Sequence, residues 1–195
     1  MAPHKFDLVG AHPALDFLNT VHDWTVDAPR DYLPDYSEAL RFGEVAGVLS
    51  RSEARALAPQ SAGAETRRLR ELRSRIERVF RAAVTGAAPS PTDLDALARD
   101  AAEASRTARL RRANGKVARS LDAAEAGRAL LRMRLVESAV ELLTSERMAR
   151  VKSCPSCGWF FLDVTKNGSR RWCSMDMCGS SAKSRAYYWR NRAKE

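Results

Sequence analysis

The sequence predicts an α+β chain, mostly helical over residues 1–149 with one small β-hairpin, and closed by a compact cysteine-bearing module over 150–195. Three observations predict it. Several stretches repeat apolar residues at helical spacing, Asn114-Gly115 sits between two arms of alternating basic and apolar residues, and all four cysteines fall in the last fifth of the chain. A length of 195 residues fits one medium domain plus a small appended one, and 45% hydrophobic with 29% charged residues is an ordinary globular composition. No apolar run is long enough to span a bilayer. The opening MAPHKFDLVG lacks the apolar stretch of a secretory signal, so the expectation is a cytoplasmic protein without a membrane partner.

Taken in order, Leu15-Asp16-Phe17-Leu18-Asn19-Thr20-Val21 reads equally well as a short strand or as one and a half turns of helix. After Pro29 and Pro34, Ser37 is the expected N-cap of a helix running to about Leu49, and Ser50 or Ser52 starts a shorter one ending near Pro59. From Ala64 to Val84, Leu69, Leu72, Ile76, Val79, Phe80 and Ala83 recur at helical spacing while arginines fill the outer face. Thr85-Gly86-Ala87-Ala88-Pro89 breaks that helix. Ser90, Pro91 and Asp93 start the next, which should end near Ser105. Residues 107–119 then read as a hairpin turning at Asn114-Gly115, one face of which is cationic. A long helix is expected from about Asp122 to Ala149, with Leu131, Leu135, Ala139 and Leu142 on its buried stripe. It runs almost directly into the cysteine module, so rigid apposition of the two parts is expected.

The cysteines are spaced Cys154-x2-Cys157-x15-Cys173-x4-Cys178. Two short-range pairs separated by an insert supply the four soft ligands of a tetrahedral Zn2+ site, and four thiolates leave no open position for chemistry. Two disulfides would need an oxidising compartment, and a Cys-x-x-Cys redox pair needs no second pair; zinc is favoured over both. Between the pairs, Trp159–Val164, a turn at Asn167-Gly168 and Arg170–Trp172 read as strand, turn, strand. Cys178 then falls in the first turn of a helix. Knuckle, hairpin and helix in that order make a treble clef, whose hairpin aromatics serve as its small core or as stacking platforms.

Net charge is +9, and from Arg150 onward ten basic residues stand against three acidic ones. The electropositive part is therefore the cysteine module, which points to a polyanionic partner rather than a merely solvated tail. In the last helix Ala182, Ala186, Trp189 and Ala193 share one stripe, with Lys183, Tyr187, Arg190 and Lys194 along one flank and Arg185 and Arg192 along the other. Such a helix follows a phosphate backbone or enters a major groove, with Arg170 and Arg171 as a second anchor; RNA or a ribosomal surface fits the same charges.

Cys154-x2-Cys157, Phe161-x-Asp163, Arg170-Arg171-Trp172-Cys173-Ser174-Met175 and Cys178-Gly179-x-x-Ala182-Lys183 together resemble the CGNR zinc finger of bacterial stress-induced transcription regulators. Ala14–Val21 is similar to the opening motif of the ABATE domain that precedes that finger. The two likenesses cover nearly the whole chain. The resemblance implies a DNA-binding treble-clef finger behind a mixed α/β ABATE domain that binds an unknown small ligand, in a nucleoid-associated regulator. One departure is plain: the family's Cys-Gly-Asn-Arg is here Cys178-Gly179-Ser180-Ser181, which keeps the ligand and removes a cation. His12, Asp16, Asn19, Thr20 and His22 are the candidates to line a polar pocket, against the alternative that they cap a helix and tie the amino terminus down. Three histidines without a nucleophile motif, a phosphate loop or a His-x-x-x-His pair offer no catalytic set, so no enzyme is expected. The alternative to a DNA-binding regulator is a zinc-stabilised module that docks on RNA, on RNA polymerase or on the ribosome.

Overall fold

In the computed structural model, which describes residues 6–58, 62–113 and 115–192, the segment around Leu15 is helical. Helix α1 (Pro13–Leu18) is capped by His12, whose Nδ1 accepts from the Ala14 N–H, and Pro13 occupies the first helical position where no N–H is needed. In α2 (Tyr36–Val45) the cap is Asp35 and not Ser37. The Asp35 carboxylate takes the Glu38 N–H, while the Ser37 hydroxyl merely donates to Asp35 from inside the first turn. Because a carboxylate is the stronger acceptor for a helix N-terminus, it sets the start; the helix also stops at Val45, short of Leu49. Ser50 opens α3 (Arg51–Leu57) with a reciprocal cap to Glu53, and the expected end at Pro59 lies outside the described residues. Helices α4 (Gly63–Thr85) and α5 (Pro91–Arg106) match their apolar periodicity closely.

The hairpin forms as expected. β1 (Ala108–Ala113) pairs antiparallel with β2 (Lys116–Leu121), Ala108 facing Leu121 and Ala113 facing Lys116, with Asn114 outside the described residues. The single long helix after Asp122 does not form. It is broken into α6 (Ala123–Ala126), a 3-10 turn over Gly127–Ala129, α7 (Leu130–Thr144) and a second 3-10 turn over Glu146–Arg150. Gly127 sits at φ 49°, ψ −132°, a backbone region essentially reserved for glycine, and Ser145 is extended at φ −93°, ψ 157°. No proline marks either break, and the Ala-, Glu- and Arg-rich residues around them are good helix formers, so the sequence conceals both.

The cysteine module also pairs differently from the expectation. β3 (Val151–Ser153) and β4 (Phe160–Leu162) form an antiparallel pair around the first two cysteines, and residues 170–172 form no strand. The reason is Asp163. Its buried carboxylate accepts from Lys152 Nζ at 2.7 Å, from the N–H and hydroxyl of Thr165 at 3.0 and 2.6 Å, and from the Arg170 N–H at 2.9 Å, which holds the 163–170 loop in a closed turn instead of a ladder. The chain ends, as described, in α8 (Ser180–Arg192).

The core is shared between the two parts. Leu131, Leu135, Ala139 and Leu142 of α7 and Leu69, Leu72, Ile76, Val79 and Phe80 of α4 are buried together with Val151, Phe160 and Leu162 of the module. Phe80 and Phe160 meet edge to face with ring centres 6.4 Å apart. Polar ties reinforce the seam. The Asn19 side chain donates to the Phe160 carbonyl at 2.8 Å and accepts its N–H at 2.9 Å, while the Leu162 N–H reaches Gly10 O at 2.9 Å. Asn19 thereby acts as a one-residue strand on the free edge of β4.

Asn19→Ala should orphan both backbone groups of Phe160 in a buried setting, at about 2–4 kcal/mol in total. Urea unfolding of the zinc-loaded protein should show the unfolding free energy falling by that amount, through a lower midpoint with little change in slope; a loss under about 1 kcal/mol, on the order of an ordinary surface substitution, would show that the joint is not load-sharing.

Candidate zinc site and basic surface

The first two cysteines are aimed by the tight loop between β3 and β4. Cys154 N–H donates to Trp159 O at 2.8 Å and Gly158 N–H returns to Cys154 O at 2.9 Å. Gly158 leaves the loop at φ 70°, and a Cβ there would stand 2.9 Å from Cβ of Trp24, so only glycine fits. Cys173 follows the 163–170 loop. Cys178 lies in a π-helical turn, Met175–Gly179, capped by Ser174 and continuous with α8, close to its expected place at a helix start.

All four Sγ atoms lie within 4.8 Å of one another, and the Cys157–Cys173, Cys173–Cys178 and Cys178–Cys157 separations are each 3.6 Å. Four thiolates about 2.3 Å from a central ion stand about 3.8 Å apart at the edges of a tetrahedron, so these residues fit Zn2+ in number, softness and spacing. Backbone N–H groups complete the set, Cys173 and Ser156 donating to Cys154, and Trp159 to Cys157. A bound dication would let all four thiols ionise, which a cluster of neutral thiols and thiolates this close together does not. No position is left for a water, so the metal holds the fold.

The basic residues divide into two groups. Arg170 is tied inward: its guanidinium donates to the carbonyls of Val9, Trp172 and Cys173 and stacks 4.5 Å from the Phe161 ring centre. Arg150 donates to the carbonyls of Asp163 and Thr165, and Lys152 to Asp163. These three cations staple the metal module together. Lys166, Arg171 and Lys183 are exposed, Arg171 lying 5.1 Å over the Trp172 ring. Arg192 is exposed as well and bonds the Tyr188 hydroxyl at 2.9 Å. Arg185 and Arg190 fall on α8, but their side chains, like those of Ala186, Tyr187 and Trp189, lie outside the described ones; Lys194 lies beyond the described residues. Ser180 and Ser181 donate to the carbonyls of Met175 and Met177, fastening the π turn where the family has its Asn-Arg.

The five polar residues of the amino-terminal motif are turned onto the chain itself. His12 Nδ1 accepts in the α1 cap, which leaves Nε2–H to donate to Glu141 at 3.1 Å, and burial lowers its pKa. Asp16 accepts the Gly10 N–H at 2.8 Å. Asn19 holds Phe160. Thr20 donates to Phe17 O and accepts from Arg73, which also bridges to Asp31. His22 Nδ1 meets the Tyr32 hydroxyl at 2.6 Å. The capping alternative describes them, with an addition the sequence did not disclose: the segment they stabilise grips the knuckle. Trp24 N–H donates to Cys157 O at 3.0 Å and Trp159 Nε1–H to Val21 O at 2.6 Å. Arg81 of α4 bonds Ser153 Oγ and Gly158 O and stacks 4.4 Å from the Phe160 ring centre. Nothing in the spacing of Trp24 or Arg81 signals this; Asp163 at least stands inside the Phe-x-Asp motif.

Comparison with known families finds two matches along the chain. The ABATE family, described as "Putative stress-induced transcription regulator", matches residues 11–146, and the CGNR zinc finger matches residues 150–191. Among curated proteins, none matches the chain.

Burial pushes the Asp16 pKa up to about 6, against the smaller opposing effect of the Gly10 N–H. A raised carboxyl favours folding while protonated, so its contribution is complete below about pH 4 and is lost as pH rises through about 6. Asp16→Asn keeps the acceptor for Gly10 and removes the titration. Between those pH values the wild type should lose about 3 kcal/mol relative to the variant in parallel denaturation series; parallel pH profiles would refute the assignment.

Proposed function

Since the chain belongs to the ABATE family and carries its CGNR zinc finger, we propose that it is a DNA-binding transcription regulator whose finger grips the duplex backbone. The observation that carries this reading is the division of the cations. Arg150, Lys152 and Arg170 satisfy carbonyls and Asp163 within the module, whereas Lys166, Arg171, Lys183 and Arg192 face solvent around the loop and α8. Outward guanidinium and ammonium groups on a metal-braced frame suit phosphates, which position without reading sequence. Knuckle, β-pair and a helix bearing Cys178 support the treble-clef assignment.

In this proposal the helical region answers to a small ligand or partner and passes its state to the finger through the Asn19–Phe160 seam; it performs no catalysis. The site would work in the cytoplasm at the nucleoid. Among the described residues, no helix is long and apolar enough to cross a membrane. A second reading, docking on a protein or on RNA through the same module, is favoured by Met175 and Met177, which stand 47% and 37% exposed beside the last ligand. Pull-downs with and without nuclease separate the two, because a protein contact survives nuclease.

Arg171→Ala and Lys183→Ala should each weaken duplex binding at every sequence and lower the slope of log K against log salt by about 0.9. Gel shifts with genomic fragments at two salt concentrations measure both. Failure of the zinc-loaded protein to shift any fragment at low salt would end the DNA reading.

A further inference from the structure

The hairpin β1–β2 takes no part in the zinc module, yet it too is an exposed cationic element. Residues 108–121 carry Arg109, Arg111, Arg112, Lys116 and Arg119 and no acid. Beyond Ala108, Ser120 and Leu121 at its base, the described side chains on both faces of the ribbon are exposed. Strands of this length reach about 15 Å past the anchor at about 3.3 Å per residue. Three of its arginines are neutralised by acids on neighbouring elements at its base: Arg109 by Glu125, Arg111 by Asp122 and Arg119 by Glu137. Arg112 and Lys116, at the outer end, make no ion pair among the described residues.

The apolar residues are just as uneven. Leu110 and Val117 are 74% and 73% exposed, more than any other large hydrophobic side chain described. The register sets Leu110 opposite Arg119 and Val117 opposite Arg112, so all four project from one face. An apolar centre with cations on the same face and at the outer end is a surface built to be covered by something anionic. A second copy of the chain is disfavoured, because it would set two acid-free ribbons of like charge against each other.

We propose that the β1–β2 ribbon is a second DNA-binding element that enters the major groove of a duplex, with Arg112 and Lys116 on phosphates and Leu110 and Val117 against base edges. A two-stranded ribbon fits that groove, which is about 12 Å wide, and apolar side chains there meet thymine methyl groups. The inference rests on the DNA reading given above but on residues far in sequence from the finger, so the ribbon proposal can fail while the finger reading stands.

The test uses the full zinc-loaded chain and a mixed-sequence duplex, followed by fluorescence anisotropy across a salt series. The double variant Arg112→Ala/Lys116→Ala should bind more weakly at every sequence, with the salt slope reduced by about 1.8. Leu110→Ser/Val117→Ser should lose affinity with the slope unchanged. All four positions are solvent-exposed, so helical circular dichroism and zinc content should remain at the wild-type level. If both ribbon variants bind like the wild type while Lys183→Ala weakens binding, the ribbon proposal falls and the finger reading stands. Absence of wild-type binding at low salt overturns both. Unchanged duplex binding, with a larger species lost on size-exclusion chromatography, reassigns the ribbon to self-association and overturns the proposal.

Discussion

One buried amide, that of Asn19, satisfies both backbone groups of Phe160, and the placement of the zinc module depends on it. β4 is paired on only one side, by β3, and its other edge is buried against the helical region. An unpaired edge there would leave orphaned N–H and C=O groups away from water, each costly. The α1 segment closes that edge with Asn19 at Phe160 and Gly10 at Leu162. The same segment is held from behind by Arg73, which bonds Thr20 and Asp31 from α4. The amino-terminal motif therefore serves as the socket for the knuckle, and His12, Asp16, Asn19 and Thr20 are buried with a hydrogen-bond partner for each.

The arrangement connects metal to body over a short distance. The knuckle exists because four thiols gather at zinc spacing, and its carbonyls and ring N–H are what Trp24, Val21 and Arg81 contact. Anything that shifts α1 or the loop after it acts directly on the frame that presents Arg171 and Lys183. Inward cations tighten that frame and outward ones face solvent. Charge alone does not separate them, since of the adjacent Arg170 and Arg171 one is bonded inward and the other is exposed.

Helices were legible from a cap in α3, from an apolar stripe in α4 and from a Ser-Pro-x-Asp start in α5. The β1–β2 hairpin was legible from Asn-Gly, and the metal site from four cysteines alone. What stayed hidden has physical causes. The stripe of Leu131, Leu135, Ala139 and Leu142 begins only after Gly127, and the Ala- and Glu-rich residues before it are good helix formers, so nothing in the sequence pattern marks a break made by one backbone conformation. Residues 170–172 look like a strand but are bent away by Asp163, whose burial depends on donors distant in sequence. Asn19 read as a pocket residue because a buried asparagine serving as a strand edge leaves the same local signature as one that binds a ligand.

The most direct test of this account is hydrogen exchange before and after zinc is withdrawn by a chelator. If the knuckle and the amino-terminal segment are one unit, loss of zinc should expose the amides of Phe160 and Leu162 together with those of His22, Trp24 and Tyr32, whose bonds run through the segment that grips the knuckle. Loss of protection confined to residues 150–192, with 13–32 unchanged, would contradict it.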